Sequence, residues 1–174
     1  MGMDVHGLMP KQNIKRSEFT TYNRWVDEDW SDKIKAFDDD SELQQKYWDE
    51  EDKYQSVNVG VYFRNACARW RGLWDFCYFV GKDENLIDTE TWREGHHNDG
   101  AGLDQVTSLK LAEKLQEAVK DGTLERFATE WEIEANTDDK GRLPKKSQWF
   151  YRFDVDNVSR FVGFLKECGG FRIC

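Results

Sequence analysis

Apolar positions along this chain fall mostly at helical spacing. Val26, Trp30, Ile34 and Phe37 recur every three or four residues, and Leu43, Tyr47 and Tyr54 make a second stripe beyond Asp38-Asp39-Asp40. The pattern predicts two short helices, at about 23–37 and 42–54. Ser41, with Gln44 three residues on, reads as a capping box for the second. That stripe is too sparse for a free-standing helix, so the helix must lean on the rest of the chain or on a partner. From residue 64 to 80, Cys67, Trp70, Leu73 or Trp74, and Cys77 share one face, while Phe76, Tyr78 and Phe79 make the later half apolar all round. This reads as the central buried helix, stopped by Gly81. Arg71 and Asp75 stand at i and i+4 within it, the spacing of a surface ion pair.

Further along, residues 95–102 form a glycine-rich loop, and Asp104 is placed to cap a helix carrying Leu109, Ala112, Leu115 and Val119. Asp121-Gly122 ends it. Thr123 opens another helix on Leu124, Phe127, Ala128, Trp131 and Ala135, and residues 136–146 are polar and loop-like. Asp154 caps a last helix with Val158, Phe161, Val162 and Leu165 inward and Gly169 as its stop. Phe171 and Ile173 then alternate as in a strand. A lone strand needs a partner, and the comparable piece is Met3-Asp4-Val5, so the two ends of the chain are expected to pair, with residues 149–153 as a third strand. The expected fold class is α+β, mainly helical: one domain over 1–174, with a small sheet formed by the N- and C-terminal segments and an acidic helical insertion at about 11–58.

Charge sharpens that picture. Residues 17–54 hold thirteen acids and five bases, net −8, whereas the whole chain of 25 bases and 34 acids is −9. The remainder, 20 bases and 21 acids, is nearly neutral. A localised field of one sign selects partners and steers their approach, and it disfavours direct binding of nucleic acid. Interleaved with the acids are Trp25, Trp30, Tyr47, Trp48 and Tyr54, and aromatics are the usual anchors of interfaces. The segment therefore reads as a partner-binding surface made of Trp25, Trp30, Asp38, Asp39, Asp40, Trp48, Asp49, Glu50, Glu51 and Asp52.

No run approaches the roughly 18 apolar residues of a membrane helix, and the start of the chain lacks an export signal, so a cytoplasmic protein is expected, in contact with no membrane. Cys67, Cys77, Cys168 and Cys174 contain no CxxC pair and are expected to stay reduced.

Candidate chemistry is thin. His96-His97 beside Asp99 is the one cluster of metal-capable or general-base residues, but HxH and HExxH spacings are lacking and Asn98-Asp99-Gly100 reads as a turn. No metal and no cofactor are expected. Glycines ahead of a helix can offer backbone N–H groups to an anion, although Gly95, Gly100 and Gly102 do not make a P-loop. Arg64, Arg69 and Arg71 near Trp70 and Trp74 can stack on a nucleotide, but the tryptophans fall on the apolar stripe. The chain has neither a GxSxG elbow nor a nucleophilic-cysteine signature, so nothing points positively to catalysis.

Three patches, MGMDVHGLMP, YFRNACARWRGLWDFC with NDGAGL, and FDVDNVSRFVGFLKECGGFRIC, resemble an uncharacterised protein family of phages, prophages and bacteria. The likeness covers about residues 1–10, 59–135 and 149–174. It brings no activity with it, and the acidic block at about 11–58 departs from the family pattern. What the resemblance implies is a scaffold with an added segment and an encounter with host machinery. The leading expectation is a non-enzymatic interaction protein, phage-encoded, whose acidic segment meets a basic surface on a host or phage protein, as a nucleic-acid mimic or an inhibitor of a defence system. The alternative is a small-ligand or nucleotide protein, binding or hydrolytic, using Arg64, Arg69, His96, His97 and Asp99.

Overall fold

The computed structural model describes residues 2–174. Strand β1 (Gly2–Gly7) leads into three helices, α1 (Thr20–Trp25), α2 (Trp30–Asp39) and α3 (Ser41–Val57). Strand β2 (Tyr62–Ala66) runs directly into α4 (Cys67–Gly81), followed by α5 (Thr89–Glu94), the short β3 (Gly102–Leu103), α6 (Gln105–Lys120), α7 (Thr123–Asn136), α8 (Val155–Glu167) and β4 (Phe171–Ile173). The fold is α+β and mainly helical, with one antiparallel sheet in the order β2-β1-β4-β3.

The two ends of the chain pair as the alternation predicts: Val5 lies opposite Ile173, and His6 opposite Arg172. Met3, Val5, Phe63, Phe171 and Ile173 point to one face and are buried, whereas His6, Arg64 and Arg172 point away. In the core with that face are Trp70 and Trp74 of α4, Leu111 and Leu115 of α6, and Phe161, Phe164 and Leu165 of α8, while Phe76 of α4 meets Phe127 of α7 and Phe153.

The third strand is not the predicted one. Residues 64–66, which the sequence assigns to the start of the central helix, belong instead to β2, paired to β1 with Met3 opposite Asn65. Residues 149–153 join no strand; instead Asn136 Oδ1 accepts from Phe150 N at 2.9 Å and Tyr151 N at 3.1 Å, which satisfies that backbone without a sheet.

Other boundaries move for local reasons. The expected 23–37 helix breaks at 26–29. Asp40, not Ser41, caps α3 by accepting from Leu43 N at 2.9 Å. Helix α4 ends at Gly81 as expected, but with right-handed φ of −84°; a 3-10 turn follows, and Asn85 takes the left-handed φ of 50°. The buried stripe of α6 is Ser108, Leu111, Ala112, Leu115 and Ala118, one residue off the expected phase, which leaves Leu109 exposed. Gly122, with φ of 78°, precedes α7 where Thr123 was expected to cap it. Asp104 and Asp154 do cap α6 and α8, and Gly169, at φ of 63°, ends the last helix.

The acidic segment has a core of its own. Phe19, Tyr22, Phe37, Tyr47 and Tyr54 are buried together, with Trp25 packed against them. Its two ends meet at Asn58, which is fully buried: Oδ1 accepts from Asn13 N (2.6 Å) and Ile14 N (3.2 Å), while Nδ2 donates to Ile14 O and Tyr54 O.

Candidate functional site

The carboxylates of the acidic segment divide by task. Asp38, Asp39, Asp49 and Asp52 are exposed and form no ion pair among the described residues, while Asp40 is occupied as the α3 cap. Glu50 turns inward and accepts from Thr21 N at 2.7 Å and Tyr22 N at 2.9 Å, which holds the first turn of α1. Glu51 is half-buried; burial and then neighbouring Asp52 raise its carboxyl above the ordinary value, and Lys33 opposes them. Lys33 itself is buried, donating to Val26 O at 2.8 Å above the Tyr47 ring. Burial pushes the Tyr47 hydroxyl up to about 12, with Glu51 and Asp27 adding to the rise, so the phenol inside this core stays neutral.

The tryptophans divide too. Trp25 packs inward on Phe37. Trp30 of α2 is 59% exposed and Trp48 of α3 is 37% exposed, yet their rings lie 6.5 Å apart, so the two form one outward patch with exposed Ile34. Asp38 stands four residues past Ile34, and Asp52 four past Trp48, which places a carboxylate beside each apolar anchor on the same helix face. Of the ten residues predicted for the partner surface, the structure exposes Trp30, Trp48, Asp38, Asp39, Asp49 and Asp52, uses exposed Asp40 as a helix cap, and partly buries Trp25, Glu50 and Glu51.

The five residues of the alternative site do not converge. Arg64 lies on β2 with its guanidinium 3.6 Å from Asp4, and Arg69 reaches Asp154 at 3.3 Å. Asp99 is exposed in the loop. That loop is tied to the sheet: Asn98 donates to Gly2 O, Gly100 N donates to Ile173 O at 2.8 Å, and Ile173 N donates to Ala101 O. The Gly100 N–H expected to be available to an anion is therefore already engaged.

His96 goes elsewhere, and Asp75 takes it there. The Arg71–Asp75 pair expected on the helix surface does not form; Arg71 donates to the Tyr151 hydroxyl instead. Asp75 Oδ1 accepts from Trp92 Nε1 at 2.9 Å and lies 3.1 Å from His96 Nε2, while Oδ2 accepts from Trp131 Nε1 at 2.8 Å. Burial would raise this carboxyl, but the hydrogen bonds from His96, Trp131 and Trp92 together outweigh it and hold it below the ordinary aspartate value.

Helix α4 builds this arrangement from its own stripe. Trp70 and Trp74 stack at 5.5 Å, and their indole N–H groups donate to Gly95 O and Trp92 O, fixing the end of α5 and so the place of His96. A Cβ on Gly95 would lie 2.3 Å from the Trp74 ring nitrogen, so only glycine fits there. The cleft beside Asp75 holds about 960 Å³ and is walled by Trp92, Trp131, Tyr78 and Tyr151.

Comparison with known proteins found no matching family model, no matching curated protein and no matching solved structure. The site must be read from its own chemistry.

A second cleft, about 1120 Å³, separates the acidic segment from β2 and α8. Its charges are mixed, with Lys33, Arg64 and Arg160 facing Glu51 and Asp52, so it favours no single class of ligand. Among the described residues, no group of three or more His, Cys, Asp or Glu is placed to hold a metal ion, and no helix is long and apolar enough to cross a membrane.

Proposed function

We propose that this protein is a non-enzymatic interaction protein whose acidic segment docks on a basic surface of a host or phage protein. The observation that carries the reading is the exposed Trp30–Trp48 pair with Ile34, bordered by the unpaired carboxylates Asp38 and Asp52. Such a surface combines the two parts of a specific interface, an apolar anchor that supplies affinity and a charged rim that supplies rate and selectivity. The second core supports it: Phe19, Tyr22, Phe37, Tyr47 and Tyr54 make the segment a formed body, so its face is presented without an ordering cost on binding. An inhibitory or nucleic-acid-mimicking role fits the net −8 of residues 17–54.

The test is capture from a host lysate with a four-site reversal of Asp38, Asp39, Asp49 and Asp52 to Lys, which spares Asp40 and Glu50 because those two hold helix ends. Trp30→Ala with Trp48→Ala is the companion variant. The charge reversal should slow association and abolish capture. The tryptophan variant should lose the salt-resistant part of the affinity. A bound protein retained equally by parent, reversal and tryptophan variant would remove the acidic face from consideration.

A further inference from the structure

We infer that the cleft around Asp75 is a binding site for a mononucleotide, a planar heteroaromatic ring carrying an anionic phosphate. Asp75 is the positioning residue. Its two oxygens take the N–H groups of Trp92 and Trp131, on α5 and α7, so one carboxylate fixes two indoles in the lining of the cleft. Tyr78 stacks on one face of Trp92 with centroids 5.2 Å apart, His96 meets Trp92 edge-on at 5.2 Å, and Tyr151 meets Trp131 edge-on at 6.0 Å, so the rings hold one another in place.

A fold-stabilising clasp alone would bury these rings. All four are only partly buried, and they open onto a space of about 960 Å³, in the size range of small-molecule sites. Rings locked before the ligand arrives bind at lower entropic cost, and a stacking surface accepts any base because every base has a π-face.

Charge at the mouth selects the rest of the ligand. Lys82 and His97 line the cleft with no ion pair, and Arg71 is engaged only by the Tyr151 hydroxyl. Two carboxylates share the lining, Glu134 without a partner and Asp75, whose oxygens are turned to three N–H donors. A cationic ligand would meet Arg71 and Lys82, and a neutral ring would leave them unused. A phosphate answers Lys82, a cation without an ion pair, whereas Arg71 lies eleven residues back along the helix, about 16 Å away, and lines another part of the cleft.

His96 Nε2 is directed at Asp75, and Nδ1 is buried with no partner, so neither ring nitrogen faces a substrate. This inference is independent of the acidic face, which lies on α2 and α3.

The test is titration of the full chain with AMP, GMP, CMP and UMP, followed by tryptophan fluorescence and calorimetry. The corresponding nucleosides, inorganic phosphate and a single-stranded hexanucleotide serve as comparison arms. At least one monophosphate should bind saturably, and its nucleoside should bind about tenfold more weakly, the loss expected for one charge-assisted contact. Lys82→Glu is an exposed change that should spare the fold. It should cost the monophosphate roughly tenfold and leave the nucleoside unchanged. The assignment fails if no monophosphate binds the folded parent at millimolar concentration, or if nucleoside and monophosphate bind alike. It fails equally if Lys82→Glu is without effect, or if the hexanucleotide binds more tightly than every monophosphate.

Discussion

Asn58 Oδ1 accepts the backbone N–H of Asn13 at 2.6 Å, joining the two points where the acidic segment leaves and rejoins the scaffold. The same oxygen holds Ile14 N, and the amide nitrogen donates to two carbonyls, so all the polar capacity of a fully buried side chain is used. Asn58→Ala strands the backbone N–H groups of Asn13 and Ile14 and the Ile14 carbonyl, while Tyr54 O keeps the backbone N–H of residue 58, at about 1–3 kcal/mol for a buried group left unsatisfied. We expect a loss of at least about 2 kcal/mol in denaturant unfolding. Limited proteolysis should cut within residues 11–58 before it cuts the scaffold. Uniform cleavage of both parts would show that Asn58 is no local clasp.

Removing residues 168–174 should abolish cooperative folding. The deletion takes away β4, which lies between β1 and β3, and two fully buried side chains, Phe171 and Ile173. Each contributes on the order of 1.5–3 kcal/mol by burial, against a total of about 5–15 kcal/mol for a domain. A truncated chain that melts sharply near the parent temperature would contradict the sheet described above.

Thiol reactivity should follow burial. Cys77 is fully buried, and desolvation, then the nearby charge of Asp75, pushes its thiol well up; burial also raises Cys168. Cys174 is exposed. Under native conditions a maleimide should label Cys174 while Cys77 and Cys168 stay protected until the chain unfolds. Mass mapping checks this, and rapid native labelling of Cys77 would be inconsistent with the α4 packing.

Asp75 predicts an acid limit. Its carboxyl is held below the ordinary value in the folded chain, so the stability it contributes is present above the unfolded value of about 3.9 and is lost as pH falls through the folded one. Asp75→Asn cannot serve three N–H donors as a carboxylate does. The stability gap between parent and variant should therefore be full at pH 6 and shrink below about pH 4. A gap unchanged down to pH 3 would place the effect on some other group.

Much of the fold could be read because local rules and tertiary needs agree at those places. Asp104 and Asp154 cap where a short acid precedes an apolar stripe, and Phe171 with Ile173 can be satisfied only by another strand. The failures come where long-range partners decide. Tyr62–Ala66 has Trp-rich helix sequence on its heels, and only the open edge of β1 makes it a strand. Gly81 does end α4, but in a right-handed conformation, and the left-handed turn falls to Asn85 after a 3-10 turn.

The site was legible only in parts. His96 was singled out, but its partner was assigned to Arg71, because i,i+4 spacing says nothing of donors arriving from α5 and α7. The available signal was Asp75 itself, a single acid in an otherwise apolar half-helix, which must find compensation somewhere. In the acidic segment, composition could not separate Glu50, which holds the start of α1, from Asp49 beside it, which does not.

The sheet also sets a timetable for synthesis. β1 leaves the ribosome first among these elements and β4 last, so Val5 must wait for Ile173 before its face is covered. At about 5–20 residues per second, the interval is several seconds or more, during which the α4 tryptophans have no completed wall to pack on. Residues 11–58 emerge early and carry a core closed within themselves. The growing chain thus exposes its strongly acidic part ahead of an unfinished apolar one, and those like charges oppose association of neighbouring nascent chains until the last strand arrives.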